Sequence, residues 1–296
     1  MTGRRTEDRH ILSDGIHGIP GADVLARILT SQHAAIAAVV PAFPHILVAA
    51  EAGAEALRQG GKMAYAGAGS SGLMALADCL ELPGTFGIAP DRVPMLFAGG
   101  TAALLHMQGG VEDDPALAMA DLDRAGLGKG DVILCLAASG RTPYTLTVAR
   151  EAKARGARVI GLANAPGTEL LAIADIPILL DTGPEIVTGS TRMGAGTTQK
   201  IALNMISVLV GIGLGHVHDG YMVNLTADNL KLIDRAARIV ALVSGAELQA
   251  AQAALRQTGG AVKPAILVAQ GLSAAQAEAA LDQSRGHLTP VLRASQ

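Results

Sequence analysis

Glu81 and Glu112 are the side chains best placed to move protons, and three short stretches dense in glycine and hydroxyls are best suited to hold an anion. Glu81 closes a helical pattern just before Leu82-Pro83, where the negative end of a helix dipole disfavours an ionised acid and makes it a proton donor. Glu112 stands in Val111-Glu112-Asp113-Asp114-Pro115, in which Asp114 and Pro115 read as the N-cap and first residue of a helix. The positive helix end favours the ionised form there, although the two aspartates oppose it, so Glu112 is expected to be the base. Two carboxyls held apart in this way would divide acid and base work. The plainer alternative is that Glu81 is solvated at a helix end and Glu112 helps to cap a helix.

The first anion loop is Gly67-Ala68-Gly69-Ser70-Ser71-Gly72. It follows the apolar run Met63 to Ala66 and precedes Leu73, Met74, Leu76, Ala77 and Leu80 at helical spacing, with Leu82-Pro83-Gly84 expected to stop the helix. In such a unit the glycines let backbone approach a ligand, and free N–H groups at the helix start point at it. Gly69, Ser70 and Ser71 are therefore candidate contacts, with two hydroxyls that can turn toward phosphate oxygens, and a phosphate monoester is the expected ligand. The same letters satisfy the G-x-G-x-x-G of dinucleotide sites, but those need an acidic residue about 20 positions on, at the end of the second strand. Here the second apolar run, Val93 to Phe97, ends in Ala98-Gly99-Gly100, and Asp91 lies before it.

A second loop, Ala137 to Tyr144, brings Ser139, Gly140, Arg141 and Thr142 to the equivalent place after another strand. It also reads as an ordinary helix start, capped by Thr142 and opened by Pro143. A third cluster, Gly183 to Arg192, contains Glu185, Ser190, Thr191 and Arg192 ahead of a long apolar helix. Capping accounts for one of its hydroxyls, and the rest are expected to line a pocket.

The elements that must position these residues alternate. Continuous apolar runs predict strands at Met63 to Ala66, Val93 to Phe97, Val132 to Leu136, Val159 to Leu162 and Ile176 to Leu180, as for parallel strands covered on both faces. Helical patterns lie between them, so the expected class is α/β, a doubly wound parallel five-stranded sheet whose ligands sit at the carboxyl ends of the strands. The expected division is a helical segment 1–50, a sheet domain 51–224 and a helical subdomain 225–296.

Composition narrows the function classes. With 50% hydrophobic and 17% charged residues the 296-residue chain has a core to bury and is not disordered. A net charge of −3 without a basic block gives no electrostatic case for nucleic acid, and 2% aromatic residues with no tryptophan leave recognition to polar contacts. Two cysteines make no disulfide framework, and neither a signal segment nor an apolar run of about 18 residues is visible, so a soluble cytoplasmic protein is expected. His216 and His218 lack a matching carboxylate or cysteine cluster; no metal is expected, and they read as surface or interface residues.

These motifs together resemble the N-acetylmuramic acid 6-phosphate etherases of the sugar-isomerase (SIS) domain superfamily. The resemblance runs from Thr6-Glu7 into the tail and is carried by GGK-x-x-Y-x-GAGSSG, E-x-P-x-TFG at Glu81 to Gly87, AGG at Ala98 to Gly100, VED at Val111 to Asp113, ASGRTPY at Ala138 to Tyr144, GPEIVTGSTRM at Gly183 to Met193 and AGT-x-QK at Ala195 to Lys200. It implies a SIS-type fold and cleavage of the lactyl ether of a phosphosugar by elimination and water addition, with no metal or organic cofactor. The family's proton donor matches Glu81 and its second active-site glutamate matches Glu112. It also implies a homodimer with sites near the subunit interface. A phosphosugar-binding regulator and a phosphosugar isomerase are the alternatives. Three positions depart from the family pattern: Leu73 and Gly194 stand where arginine and lysine are usual, and Gly109 where a further glutamate is common.

Overall fold

The computed structural model describes residues 5–294. The chain divides into two compact units, Met1–Cys79 with Asp91–Ser207, and Leu80–Pro90 with Val208–Gln296. Residues up to 50 thus group with the sheet, and the division near residue 207 falls ahead of the expected boundary at 224; positions 1–4 and 295–296 of the expected segments lie outside the described residues.

Short 3-10 turns at Arg5–Glu7, Ile11–Ser13 and Ile16–Gly18 lead into α1 (Gly21–Ala37) and, through a further turn at Val40–Ala42, into α2 (Phe43–Arg58). The alternating part follows: β1 (Met63–Gly67), α3 (Gly69–Phe86), β2 (Met95–Phe97), α4 (Gly100–Leu105), α5 (Pro115–Ala125), β3 (Val132–Leu136), α6 (Pro143–Ala154), β4 (Arg158–Ala163), α7 (Glu169–Ile173), β5 (Ile176–Leu179) and α8 (Gly194–Gly213). All five strands are parallel, in the order β2-β1-β3-β4-β5, with Gly67 paired to Phe97 on one side and Leu136 on the other. The α/β class, the strand count and the parallel sense are as expected. Every residue of β1 and β3 is buried, which is why both read as unbroken apolar runs. Ile133, Cys135, Tyr144, Val148, Val159 and Leu170 belong to one core cluster, each large aliphatic side chain contributing about 1.5–3 kcal/mol.

This strand order reverses direction between β1 and β3. At such a switch point the chains leaving the two carboxyl ends turn to opposite sides and open a crevice for a ligand. The loops leaving β1 and β3 are the first and second anion loops, so the topology itself brings them together.

One local reading is corrected. Leu82-Pro83-Gly84 does not stop α3, which runs on to Phe86 with Pro83 inside it. Proline forfeits one hydrogen bond and costs about 3 kcal/mol in a helix interior. The last turn is held instead by the Gly87 N–H donating to the Pro83 carbonyl, by Asn224 Nδ2 donating to Phe86 and by the Thr226 N–H donating to Gly84. Within the helical stretch Gly21–Arg58 an 18-residue window reaches a mean hydropathy of 1.7, the range of a membrane span. The stretch is interrupted by the turn carrying Pro41, and α2 packs on β1, β3 and β5 with Ile46, Ala49, Ala50 and Ala54 buried, as a core helix does.

In the second unit β6 (Val217–His218) and β7 (Tyr221–Met222) form a two-stranded antiparallel hairpin, followed by α9 (Leu230–Ser244), α10 (Leu248–Gln257), α11 (Val262–Ala269), α12 (Ala274–Gln283) and α13 (Leu288–Ala294). Val240, Ala251, Ile266 and Ala277 lie at the centre of its helical core. His216 is not a surface residue: burial, with Lys263 nearby, lowers its pKa to about 4.

Asp78, in the middle of α3 and 6% exposed, accepts from Tyr65 Oη on β1 (2.8 Å) and from Asn204 Nδ2 (2.7 Å) and Ser207 Oγ (2.9 Å) on α8. Burial, with Asp78 beside it, holds the Tyr65 phenol well above its ordinary range, so it stays a donor. Replacing Asp78 by alanine leaves these donors unpaired in the interior, and urea titration is expected to show a loss of about 3 kcal/mol or more.

Candidate active site

The two anion loops are joined by a hydrogen bond. Ser71 Oγ accepts from the Ala138 N–H at 3.3 Å, tying the start of α3 to the end of β3. A hydroxyl that accepts in this way keeps its proton to donate, and Ser71 can therefore still serve an anion. Ser139 Oγ likewise accepts from the Arg141 N–H at 3.3 Å. Thr142 occupies the N-cap position of α6 as expected, but its side chain makes no capping bond, and the residue lines the cavity.

That cavity, about 330 Å³, lies within the first unit and is lined by Gly69, Ser70, Ser71, Ser139, Thr142 and Thr191, together with Glu7 and Glu112. It thus unites hydroxyls from all three sequence clusters. Among the described residues that line it there is no lysine, arginine or histidine, and Arg141 and Arg192 are exposed outside it. A larger hollow of about 610 Å³ belongs to the second unit, lined by Leu230, Ile233, Asp234, Leu255 and Arg256 among others. Its described lining residues include no hydroxyl side chain and no strand-to-helix loop to cradle an anion.

Glu112 sits in a 3-10 turn at Gly109–Asp113, while Asp114 caps α5 by accepting from the Ala116 and Leu117 N–H groups. The helix end is therefore already served, and the expected help to an ionised Glu112 does not arrive. Burial pushes the Glu112 carboxyl up from its ordinary value, and Asp113 beside it pushes the same way. A raised carboxyl is the stronger base once ionised. Its Oε1 lies 2.5 Å from where a β-carbon on Gly69 would be. With φ at +52° as well, position 69 requires glycine, which lets the carboxylate rest against the first loop.

The other candidates separate from this group. Glu81 is exposed, on the part of α3 that belongs to the second unit; because the helix continues to Phe86, it does not occupy the last turn, where the dipole acts. Glu185 is 2% exposed and accepts from the Gly194 and Ala195 N–H groups at 2.9 and 2.8 Å, so both its oxygens serve the start of α8. Gly140 is fixed by packing: φ is +62° and any β-carbon would strike the Thr168 side chain. Ser190 is half-buried outside the lining. At Gly194 a β-carbon would lie 3.1 Å from both Ala35 and Glu185, close enough that the neighbours would have to give way.

Glu7 and Met107 are lining residues to which sequence reasoning assigned no site role. Glu7 is marked only as the start of the family resemblance, because its place depends on a long-range bond from the Gly189 N–H to the Thr6 carbonyl. Among the described residues no three His, Cys, Asp or Glu side chains gather as metal ligands.

The chain is similar to known proteins over nearly its whole length. The SIS domain family matches residues 23–164. The chain is 43% identical over 290 residues to the N-acetylmuramic acid 6-phosphate etherase of Deinococcus radiodurans, covering 98% of this chain and 95% of that protein. It is 41% identical over 267 residues to the etherase of the same name from Halalkalibacterium halodurans, 90% of each chain. Among solved structures, a phosphoheptose isomerase from Francisella tularensis superposes with a TM-score of 0.50 at 21% identity over 66% of this chain and 100% of that one, which shows the shared fold.

Because Asp113 helps to raise Glu112, Asp113→Asn is expected to bring the Glu112 carboxyl back toward its ordinary range. Carbon-detected NMR titration of the glutamate carboxyls reads this directly, and an unmoved midpoint would leave burial as the sole cause.

Proposed function

The chain belongs to the N-acetylmuramic acid 6-phosphate etherase family, and we propose that Glu112 and Glu81 perform the proton transfers by which it cleaves the lactyl ether of that sugar phosphate. The products are N-acetylglucosamine 6-phosphate and D-lactate. The observation that carries the role of Glu112 is its carboxylate resting against the first anion loop, inside a cavity rich in hydroxyls. The role of Glu81 rests on its match to the family's proton donor.

The hydroxyls of Ser70, Ser71, Ser139 and Thr142, with the free N–H groups at the starts of α3 and α6, hold the 6-phosphate. Each hydrogen bond to the charged phosphate is worth roughly 1.5–3 kcal/mol. With the sugar ring open, carbon 2 is next to the aldehyde and its proton is acidic. Glu112 removes that proton, the electron pair forms the double bond between carbons 2 and 3, and the ether oxygen departs from carbon 3. Glu81 protonates the oxygen as it leaves, releasing lactate. Water then adds across the double bond, its hydroxyl to carbon 3 and a proton to carbon 2. Each acid or base contributes about 10² to 10⁴ in rate. The named relatives favour this lyase reading over a regulator or an isomerase, neither of which would eject lactate.

We further propose a cytoplasmic homodimer. Both cysteines are buried and unpaired, as a reducing compartment allows, and phosphorylated sugars are internal metabolites. Leu25 (69% exposed) and Leu29 (56%) on α1, with Phe43 and Leu47 on α2, leave an apolar face to be covered.

Incubation with N-acetylmuramic acid 6-phosphate should release lactate in the wild type, while Glu81→Gln and Glu112→Gln each lose at least about 10²-fold in kcat. Unchanged turnover in either variant removes that residue from the mechanism. In sedimentation the wild type should run as a dimer and Leu25→Glu/Leu29→Glu as a monomer; a monomeric wild type excludes the assembly.

A further inference from the structure

We propose that Glu7 binds the sugar portion of the substrate, its carboxylate accepting a hydrogen bond from a hydroxyl or from the amide N–H. The inference rests on reading the cavity as a site for an N-acetylated sugar phosphate.

Three observations place Glu7 as part of the cavity. It is one of the lining residues, with Ser70, Ser71, Glu112 and Thr142. The segment that carries it is fastened on both sides: Arg5 pairs with Asp181, and Thr6, 2% exposed, accepts from the Gly189 N–H at 3.1 Å. Gly189, at φ +74°, also makes room for it, since a β-carbon there would lie 2.9 Å from Glu7 Oε2. Among the described residues the Glu7 carboxylate has no hydrogen-bond or ion-pair partner, so it is held in place with its accepting capacity unspent.

The chemistry then limits what it can face. Phosphate oxygens at neutral pH are acceptors, and a carboxylate beside them is repulsive. The phosphate therefore belongs with the hydroxyls and helix starts, and a carboxylate in the same small cavity must meet the part of the ligand that donates. On an open-chain N-acetylated sugar those donors are the chain hydroxyls and the amide N–H. Glu112 is committed to a carbon-bound proton in the mechanism above, which leaves Glu7 to orient the chain.

The test sets sugar phosphate against inorganic phosphate. In Glu7→Ala, N-acetylglucosamine 6-phosphate is expected to bind about 10- to 100-fold more weakly, and kcat/KM for lactate release to fall similarly. Inorganic phosphate should bind equally or more tightly, because a repelling charge has gone. Glu7→Gln keeps the shape and a neutral acceptor and should recover part of the loss. Parallel weakening of both ligands would mean that the terminal segment had merely come loose, and unchanged or tighter binding of the sugar phosphate would mean that Glu7 makes no such contact; either overturns the inference. A wild type that binds both ligands but releases no lactate would sink the etherase reading, while the binding comparison still decides the role of Glu7.

Discussion

The buried carboxylate of Asp78 is the interaction on which the site's framework rests. It gathers a phenol from β1 and two side chains from α8 onto the middle of α3. Helix α3 begins with the first anion loop, and α8 begins beneath the third cluster, where Glu185 closes off its N–H groups. One acidic side chain thereby fixes the rotation of two of the elements that present the cavity and ties both to β1. An apolar replacement could fill the same space, but hydrophobic contact is not directional, and a helix held by it alone could turn without much penalty. Loops built to meet an anion at hydrogen-bond distance do not tolerate such turning.

The sheet was legible because its physics is local. Strands covered on both faces must be apolar throughout, and β1, β3 and β4 lie within a residue of where the runs Met63 to Ala66, Val132 to Leu136 and Val159 to Leu162 place them. The N-cap at Asp114 with Pro115 behind it was equally plain. Readings failed where the deciding partner was distant in the chain. Pro83 stays helical because Asn224 and Thr226 hold the last turn, and neither is visible from position 83. The hairpin β6-β7 did carry a local mark, Asp219-Gly220, with φ of 47° and 78° suiting a two-residue turn, but its two-residue strands are too short to show alternation.

The site residues divide in the same way. Ser70 and Ser71 lie in the first turn of α3 and Ser139 and Thr142 just ahead of α6, and the fold brings such strand-to-helix junctions to one end of the sheet whatever their detailed contacts. Glu185 and Gly140 share the same loops yet serve the scaffold, because a carboxylate beside free helix N–H groups and a glycine beside a threonine methyl each have structural uses that composition does not reveal. Glu112 was placed for one electrostatic reason and owes its character to another: burial, not a helix end, governs it.

The absence of cations among the described lining residues of the cavity has a kinetic consequence. Hydroxyls and backbone N–H groups attract an anion only at touching distance, and the two carboxylates beside them, on a chain whose net charge is −3, push it away from farther out. Capture of the sugar phosphate then proceeds by unassisted diffusion, without the long-range funnel that lysine-lined clefts enjoy. Dissolved ions, by shielding that repulsion, should quicken rather than slow the first encounter, the reverse of what a basic pocket does.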